Sequence, residues 1–477
     1  MVKRLFGTDG IRGEAGKFPL DEATVRRIGR SLTQNLEVEF GRAPRIIIGR
    51  DTRQSGAMIE HALATGALEA GAHVESAGVI TTPGVAFLAR AVPFDAGVVI
   101  SASHNPFGDN GIKVFSTSGQ KIADALERKI EQDLDGPDNT DGAHFVTTGD
   151  AGEDQRHPDR AATPGLPQER KTEAHYNPGY VDRYIEFLVR EVGKGLQLDG
   201  VRLALDCANG ASYKVAPAVF AALGAQVHVI SAHPDGRNIN EGCGSLHPEA
   251  LIALVAKERL DLGIAFDGDA DRSLFVDADG SLVDGDHTML IIAEHLKSTG
   301  DLKSNAVVTT VMSNLGLQLA LAERGIEMIR TNVGDRFVLE ELLARGAEFG
   351  GEQSGHMIFT GISLAGDGII TAIELLRAVL ASGKPLHDLA GKLTKYPQVL
   401  INFKVQTKPP LETLGSVVAE MKRIEYEMQG KGRLLVRYSG TENVARVMIE
   451  GENQSTIRHQ AEHLAGTMAK EIESLSH

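Results

Sequence analysis

Three times along the 477-residue chain an apolar run empties into a polar loop, passes through a helical stretch and returns through two further apolar runs. The first copy starts at residues 45–48 and runs into Gly49-Arg50-Asp51-Thr52-Arg53-Gln54-Ser55-Gly56. The spacing predicts a helix over 57–70, then strands over 73–79 and 96–100. The second copy starts at 201–205, continues through Asp206-Cys207-Ala208-Asn209-Gly210, and has its later strands at 226–230 and 260–266. The third starts at 306–310, and its later strands fall after Gly325-Ile326 and at 347–349. Alternating strands and helices at this spacing predict α/β domains with mixed, mostly parallel sheets. In such sheets ligands gather where strands end at their carboxyl side.

The loops that close the three copies differ in chemistry. They are Ser101-Ala102-Ser103-His104-Asn105-Pro106, Asp267-Gly268-Asp269-Ala270-Asp271-Arg272 and Gly351-Glu352-Gln353-Ser354-Gly355-His356. From about residue 398 the texture changes. Strands at 400–405, 433–438 and 444–450 with helices at 411–428 and 455–475 predict an α+β unit, whose odd loop is Arg437-Tyr438-Ser439-Gly440-Thr441-Glu442-Asn443. A chain this long exceeds one core, so several domains are expected. The expected boundaries are 1–174, 175–282, 283–394 and 395–477. Residues 136–174, rich in proline and charge, read as an irregular insertion or linker. His144, His157 and His175 lie in or near it without metal-ligand spacing and read as solvated.

The triple-aspartate loop is the most specific chemical signal. Three carboxylates at alternate positions of an extended segment point the same way. They repel one another unless a cation lies between them. Oxygen-only ligands suit Mg²⁺ or Ca²⁺. An EF-hand is excluded, because its glycine and glutamate positions, counted from Asp267, hold Arg272 and Ala278. Ser103 reads as the reactive residue, its hydroxyl to be loaded with a phosphoryl group. The loop at 351–356 offers a carboxylate, an amide, a hydroxyl and an imidazole for gripping sugar hydroxyls. The loop at 437–441 offers a guanidinium, hydroxyls and backbone N–H groups, which suit a phosphate monoester, although a plain β-hairpin turn fits the same residues. Phe6-Gly7-Thr8-Asp9-Gly10-Ile11-Arg12-Gly13, taken alone, reads as a surface turn, with Arg12 as an anion ligand the sharper alternative.

Composition excludes several classes. A net charge of −15 argues against nucleic acid as a partner and demands a locally basic pocket for an anionic substrate. No apolar run is long enough to span a membrane, and the first residues carry no signal-peptide stretch. Two cysteines fit a reducing cytoplasm. No esterase elbow, Walker A loop, dinucleotide loop or zinc spacing is present.

The Ser-His-Asn-Pro loop, the triple-Asp loop, Gly-Glu-x-Ser-Gly-His and Arg-x-Ser-Gly-Thr, in this order, make the chain resemble the α-D-phosphohexomutase superfamily. Within it, residues 6–13, Gln353 and Val333-Gly334-Asp335-Arg336 look most like the bacterial phosphoglucosamine mutase group. The resemblance covers nearly everything outside 136–174. It implies four domains in a heart-like arrangement, three of them related α/β domains. It implies that Ser103 is a phosphoserine and also a ligand of one Mg²⁺ with Asp267, Asp269 and Asp271. Glu352, Ser354 and His356 would face the sugar, and Arg437, Ser439, Gly440 and Thr441 the non-reacting phosphate. Arg12 and Arg272 would add positive charge. Lys113, His104 and, third, His356 are the acid/base candidates. The implied reaction converts glucosamine 6-phosphate into glucosamine 1-phosphate through a sugar 1,6-bisphosphate, feeding UDP-N-acetylglucosamine and cell-wall synthesis. The alternatives are a phosphomannomutase or phosphoglucomutase, or a silent phosphosugar-binding regulator. The superfamily includes monomers and homodimers. Two departures stand out: the long insertion, and Glu442-Asn443 where Glu-Pro is common.

Overall fold

The computed structural model describes residues 5–7, 9–135, 174–439 and 443–475. The linker reading of 136–174, with His144 and His157, lies outside the described residues except for Ala174, as do Gly440 and Thr441. Contacts divide the chain into two compact units, Met1–Tyr184 with Pro234–Ile239, and Ile185–His233 with Asn240–His477.

The first unit holds a seven-stranded mixed sheet. Arg45–Arg50 is central and pairs in parallel with His73–Val79 on one side and Ala96–Ile100 on the other. The chain then turns back, so that Asp109–Ser116 runs antiparallel to Ala96–Ile100. Alternate residues Ile46, Ile48, Val98, Ile100 and Ile112 join one core with the helices Glu22–Phe40, Gly56–Glu69 and Asp124–Asp135. Ile47 and Val99, of the opposite parity, are also buried. Residues 6–13 correct the surface-turn reading. Phe6–Gly7 and Gly10–Glu14 form a hairpin, and Gly10–Glu14 adds to the sheet beside Asp109–Ser116, because Ile11 has a core to enter.

Helices Glu22–Phe40 and Gly56–Glu69 cross closely enough that side chains at the crossing are excluded. A Cβ on Gly66 would lie 1.9 Å from the Arg26 carbonyl oxygen, and one on Gly29 2.1 Å from that of Leu63. Gly66→Ala is therefore expected to cost a net of about 2 kcal/mol in urea unfolding, outweighing alanine's better helix propensity. An unchanged or stabilised variant would show that the helices do not meet there.

The second unit repeats the topology twice. In a five-stranded sheet Arg202–Asp206 lies between Gln226–Ile230 and Leu262–Phe266, both parallel to it, and Ser273–Asp277 returns antiparallel. In a four-stranded sheet Ala306–Thr310 lies between Glu327–Thr331 and Phe349–Gly351, and Met357–Phe359 returns antiparallel. The three chemically distinct loops are therefore the turns between a parallel strand and its antiparallel successor, once in each copy. The C-terminal part is different, with Gln398–Lys404, Val444–Gly451 and Gly432–Tyr438 in an all-antiparallel sheet. The helices Gly415–Met428 and Gln454–Ser474 close its own core around Val417, Ile424, Val447, Leu464 and Met468. Among the described residues no helix is long and apolar enough to cross a membrane.

Candidate active site

In the first unit Ser103 is buried and adopts a left-handed backbone, φ 53°. Non-glycine residues pay for that conformation, and it persists where the surroundings over-determine it. Its N–H donates to Ser101 Oγ at 2.9 Å, and its carbonyl accepts from the Arg53 guanidinium at 2.8 Å. Ser103 Oγ lies 3.3 Å from His104 Nδ1. Lys113 leaves the neighbouring strand and is buried, with Nζ 3.1 Å from Asp9 Oδ2. Arg12 and Lys121 meet the same Asp9 carboxylate, Lys121 at 2.6 Å. Arg12 also reaches Asn105 Oδ1 at 3.4 Å. Three cations thus share the Asp9 carboxylate beside the Ser103 loop. Ser103, His104, Lys113 and Arg12 thus belong to one neighbourhood.

In the second unit Asp267, Asp269 and Asp271 are all buried, and one oxygen from each lies within 4.8 Å of the others. They converge on a turn, not an extended segment, so the alternation reading needs correcting: Ala270 has φ 59° and its N–H donates to the Asp267 carbonyl. The turn is braced from behind. The Ala211 N–H donates to the Gly268 carbonyl, and a Cβ on Gly210 would lie 2.3 Å from that oxygen. Gly368, at the start of the helix Gly368–Ser382, donates to the Ala270 carbonyl. Arg272 closes the loop, its N–H on Asp267 Oδ1 at 3.2 Å and its Nε 3.8 Å from Asp271. Three buried carboxylates on a braced turn fit a hard divalent cation and fit poorly as a solvated acidic turn.

The sugar-loop candidates sit on a stiffer frame than their glycines suggest. Glu352 is buried, and its Oε1 accepts from the Gly334 N–H at 3.1 Å, which brings the Val333-Gly334-Asp335-Arg336 segment to this loop. Ser354 is exposed at the loop tip. His356 is buried, with Nδ1 3.7 Å from Asp271 Oδ2. Burial opposes its charging, but Asp271, with Asp335 and Glu352, outweighs that and raises its pKa. The metal-loop and sugar-loop candidates of this unit are therefore neighbours.

Behind the sugar loop Asp284 caps the helix Gly285–Thr299, meets Lys395, and lies 2.7 Å from His287 Nδ1. The Gln353 carbonyl accepts from the Gly285 N–H. Burial pushes the Asp284 carboxyl up, yet His287 and Lys395 more than compensate and hold it low. Burial, and then the charge of Asp284, push Asp286 up to about 6. An acid raised in the folded state favours folding most below its ordinary value of 3.8 and loses that contribution as pH rises through about 6. Asp286→Asn, which keeps an acceptor for the Asn314 N–H, is expected to flatten stability between those two values. Urea midpoints measured at both ends of that window check this, and an unchanged slope contradicts it.

In the C-terminal part Arg437 and Arg446 pair across the hairpin, and burial, then Arg446, lower the Arg437 pKa. The Ser439 N–H donates to Val444, and its carbonyl accepts from Lys408 Nζ at 2.7 Å. Two close arginines and a nearby lysine suit an anion. The loop is also the hairpin connection that the sequence allowed.

Sequence reasoning missed Asp51 and Arg53, both fully buried under the Ser103 loop. No residue type marked them; the structure shows a shared device instead. At or just past the end of each copy's first strand a side chain accepts from the amide two residues on: Asp51 from Arg53, Asp206 from Ala208, Thr310 from Met312.

Residues 3–141, 180–280 and 284–396 match the phosphoglucomutase/phosphomannomutase alpha/beta/alpha domains I, II and III, and residues 400–467 match the C-terminal domain of the same family. The chain belongs to the phosphoglucomutase/phosphomannomutase family, with its three related α/β domains and C-terminal α+β domain. It is 45% identical over 472 residues to the phosphoglucosamine mutase of Solibacter usitatus, covering 99% of this chain and 100% of that one. It is 46% identical over 469 residues to the phosphoglucosamine mutase of Pelotomaculum thermopropionicum, covering 98% and 99%. Among solved structures it shares its fold with a phosphoglucomutase/phosphomannomutase family protein from Burkholderia thailandensis, at TM-score 0.75, 22% identity and coverage of 99% and 98%. It also shares it with Aspergillus fumigatus N-acetylphosphoglucosamine mutase, solved with GlcNAc-6P and magnesium, at TM-score 0.64, 17% identity and coverage of 98% and 96%.

Proposed function

We propose that this phosphohexomutase, an enzyme of the isomerase class, interconverts glucosamine 6-phosphate and glucosamine 1-phosphate. The observation that carries the choice of sugar is the 45–46% identity with phosphoglucosamine mutases over nearly the whole of both chains. Ser103 carries the phosphoryl group. Transfer breaks the bond from phosphorus to Ser103 Oγ and forms one to the sugar O1, giving the 1,6-bisphosphate. The intermediate turns over and returns its 6-phosphoryl group to Ser103.

Such transfer asks the protein for positioning and charge neutralisation. Arg12 and Lys113 supply charge beside Ser103, and Arg272 does so beside the aspartates. Glu352 and Ser354 hold sugar hydroxyls, with His356 behind them, and the loop from Arg437 to Thr441 takes the phosphate that is not reacting. Asp267, Asp269 and Asp271 would hold Mg²⁺, with an oxygen of the Ser103 phosphate as a further ligand. When bound, the metal would neutralise phosphoryl oxygens. The proton of the sugar hydroxyl must pass to a base and return to Ser103 Oγ. His104 lies within reach of that oxygen, and Lys113 and His356 remain the other candidates. Two cysteines in a chain of this length, both free, suit the reducing cytoplasm, which is the setting we propose.

Assaying glucosamine, glucose and mannose 6-phosphates side by side tests the sugar. The highest kcat/KM is expected for glucosamine 6-phosphate. Preference for glucose or mannose would favour the sister activities, and binding without turnover would favour a silent regulator.

A further inference from the structure

Arg53 heads the largest fully buried side chains of the described residues, and it lies in a polar loop where an arginine is ordinarily solvated. A guanidinium has five N–H donors, and here all five are used. Nε donates to Asp51 Oδ2 at 2.9 Å. Nη2 donates to the carbonyls of Ser103 and Asn105, each at 2.8 Å. Nη1 donates to the carbonyl of Asp109 at 3.1 Å and to that of Pro106. Asp51 in turn accepts from Ser101 Oγ at 2.6 Å, and Ser101 Oγ accepts from the Ser103 N–H at 2.9 Å. Both backbone polar groups of Ser103 are therefore tied, directly or through one hydroxyl, to a single buried ion pair. That pair sits under the one residue of the loop whose backbone is left-handed.

We propose, resting on the reading of Ser103 as the phosphoryl carrier, that Arg53, Asp51 and Ser101 are positioning residues. Together they hold Ser103 in its left-handed conformation so that its phosphoryl group is presented to the sugar. The contacts they make run to the Ser103 backbone, and it is through that backbone that each acts. If released, Ser103 relaxes to an ordinary conformation and its Oγ swings aside. Misplacement of a reacting atom by about 1 Å costs about 100-fold in rate while leaving the sugar-binding loops intact. A role confined to stability would lower the melting temperature and leave the transfer rate of the folded protein unchanged.

Ser101→Ala cuts the relay with the smallest deletion. Arg53→Lys keeps the charge but cannot serve four carbonyls, and Ser101→Thr restores the hydroxyl. Each protein is charged on Ser103 with radiolabelled phosphate, and label transfer to glucosamine 6-phosphate is followed in a single turnover beside the sugar's KM and the ³¹P signal of the phosphoserine. The expected result is transfer about 100-fold slower in Ser101→Ala, KM within about twofold, a shifted or broadened ³¹P signal, and near-wild-type behaviour of Ser101→Thr. Wild-type transfer rates from labelled Ser101→Ala would overturn the proposal alone, whether or not Arg53→Lys folds. A wild-type protein that turns over without label on Ser103 would overturn the carrier reading and this proposal with it.

Discussion

Replacing Ser103 with alanine is expected to remove mutase turnover, by at least about a thousandfold, while leaving the protein folded. The fold survives because the bonds that fix this residue are made by its backbone, from its N–H to Ser101 and from Arg53 to its carbonyl. Alanine keeps both and meets the same left-handed backbone, φ 53°, at similar cost. What disappears is the oxygen that carries the phosphoryl group. Sugar affinity should change little, because the proposed sugar contacts come from Glu352 and Ser354. Thermal unfolding within a few degrees of wild type, a near-normal Kd for glucosamine 6-phosphate and no turnover form the expected set. Robust turnover without the hydroxyl would remove Ser103 from the mechanism.

The second large effect is expected at the metal loop. Converting Asp267, Asp269 and Asp271 together to asparagine keeps three oxygen donors and removes three charges. Asparagine at 267 can still accept from the Arg272 N–H. Relief of repulsion among three carboxylates within 4.8 Å offsets the lost contacts of Asp271 with Arg272 and His356. Metal-free stability should therefore stay within about 2 kcal/mol of wild type. Metal binding should not survive. Wild type is expected to gain about 2.7 kcal/mol at a Mg²⁺ concentration a hundredfold above its Kd, and the variant nothing. Equal stabilisation of both proteins by Mg²⁺ would place the metal elsewhere.

Strand and helix periodicity made the threefold repeat legible, and with it the position of each polar loop at a strand end. The antiparallel return after each loop was not legible, because Asp109–Ser116, Ser273–Asp277 and Met357–Phe359 carry no mark of direction. The three aspartates were recognisable by residue type, but their convergence depends on a left-handed Ala270, which side-chain alternation does not predict. The strand at 10–14 was hidden by its glycines, since what distinguishes it from a turn is its pairing with distant Asp109–Ser116 and the burial of Ile11. Asp51 and Arg53 were invisible for a different reason. Their partners are mostly main-chain carbonyls, which every residue has, so nothing in the Ser103 loop's side chains points back to them. Residue types thus revealed the groups proposed for the chemistry, while the groups that hold them in place act through main-chain contacts that only the fold brings together.

Mass spectrometry of the purified protein before and after excess glucosamine 6-phosphate tests the central claim most directly. A phosphate is predicted on the peptide carrying Ser103; when that phosphate is ¹⁸O-labelled, the label should leave the peptide for the sugar phosphates while an unlabelled phosphate from the substrate takes its place. A protein that turns over the sugar phosphate with Ser103 unmodified throughout, or with the phosphate on another residue, would contradict the account.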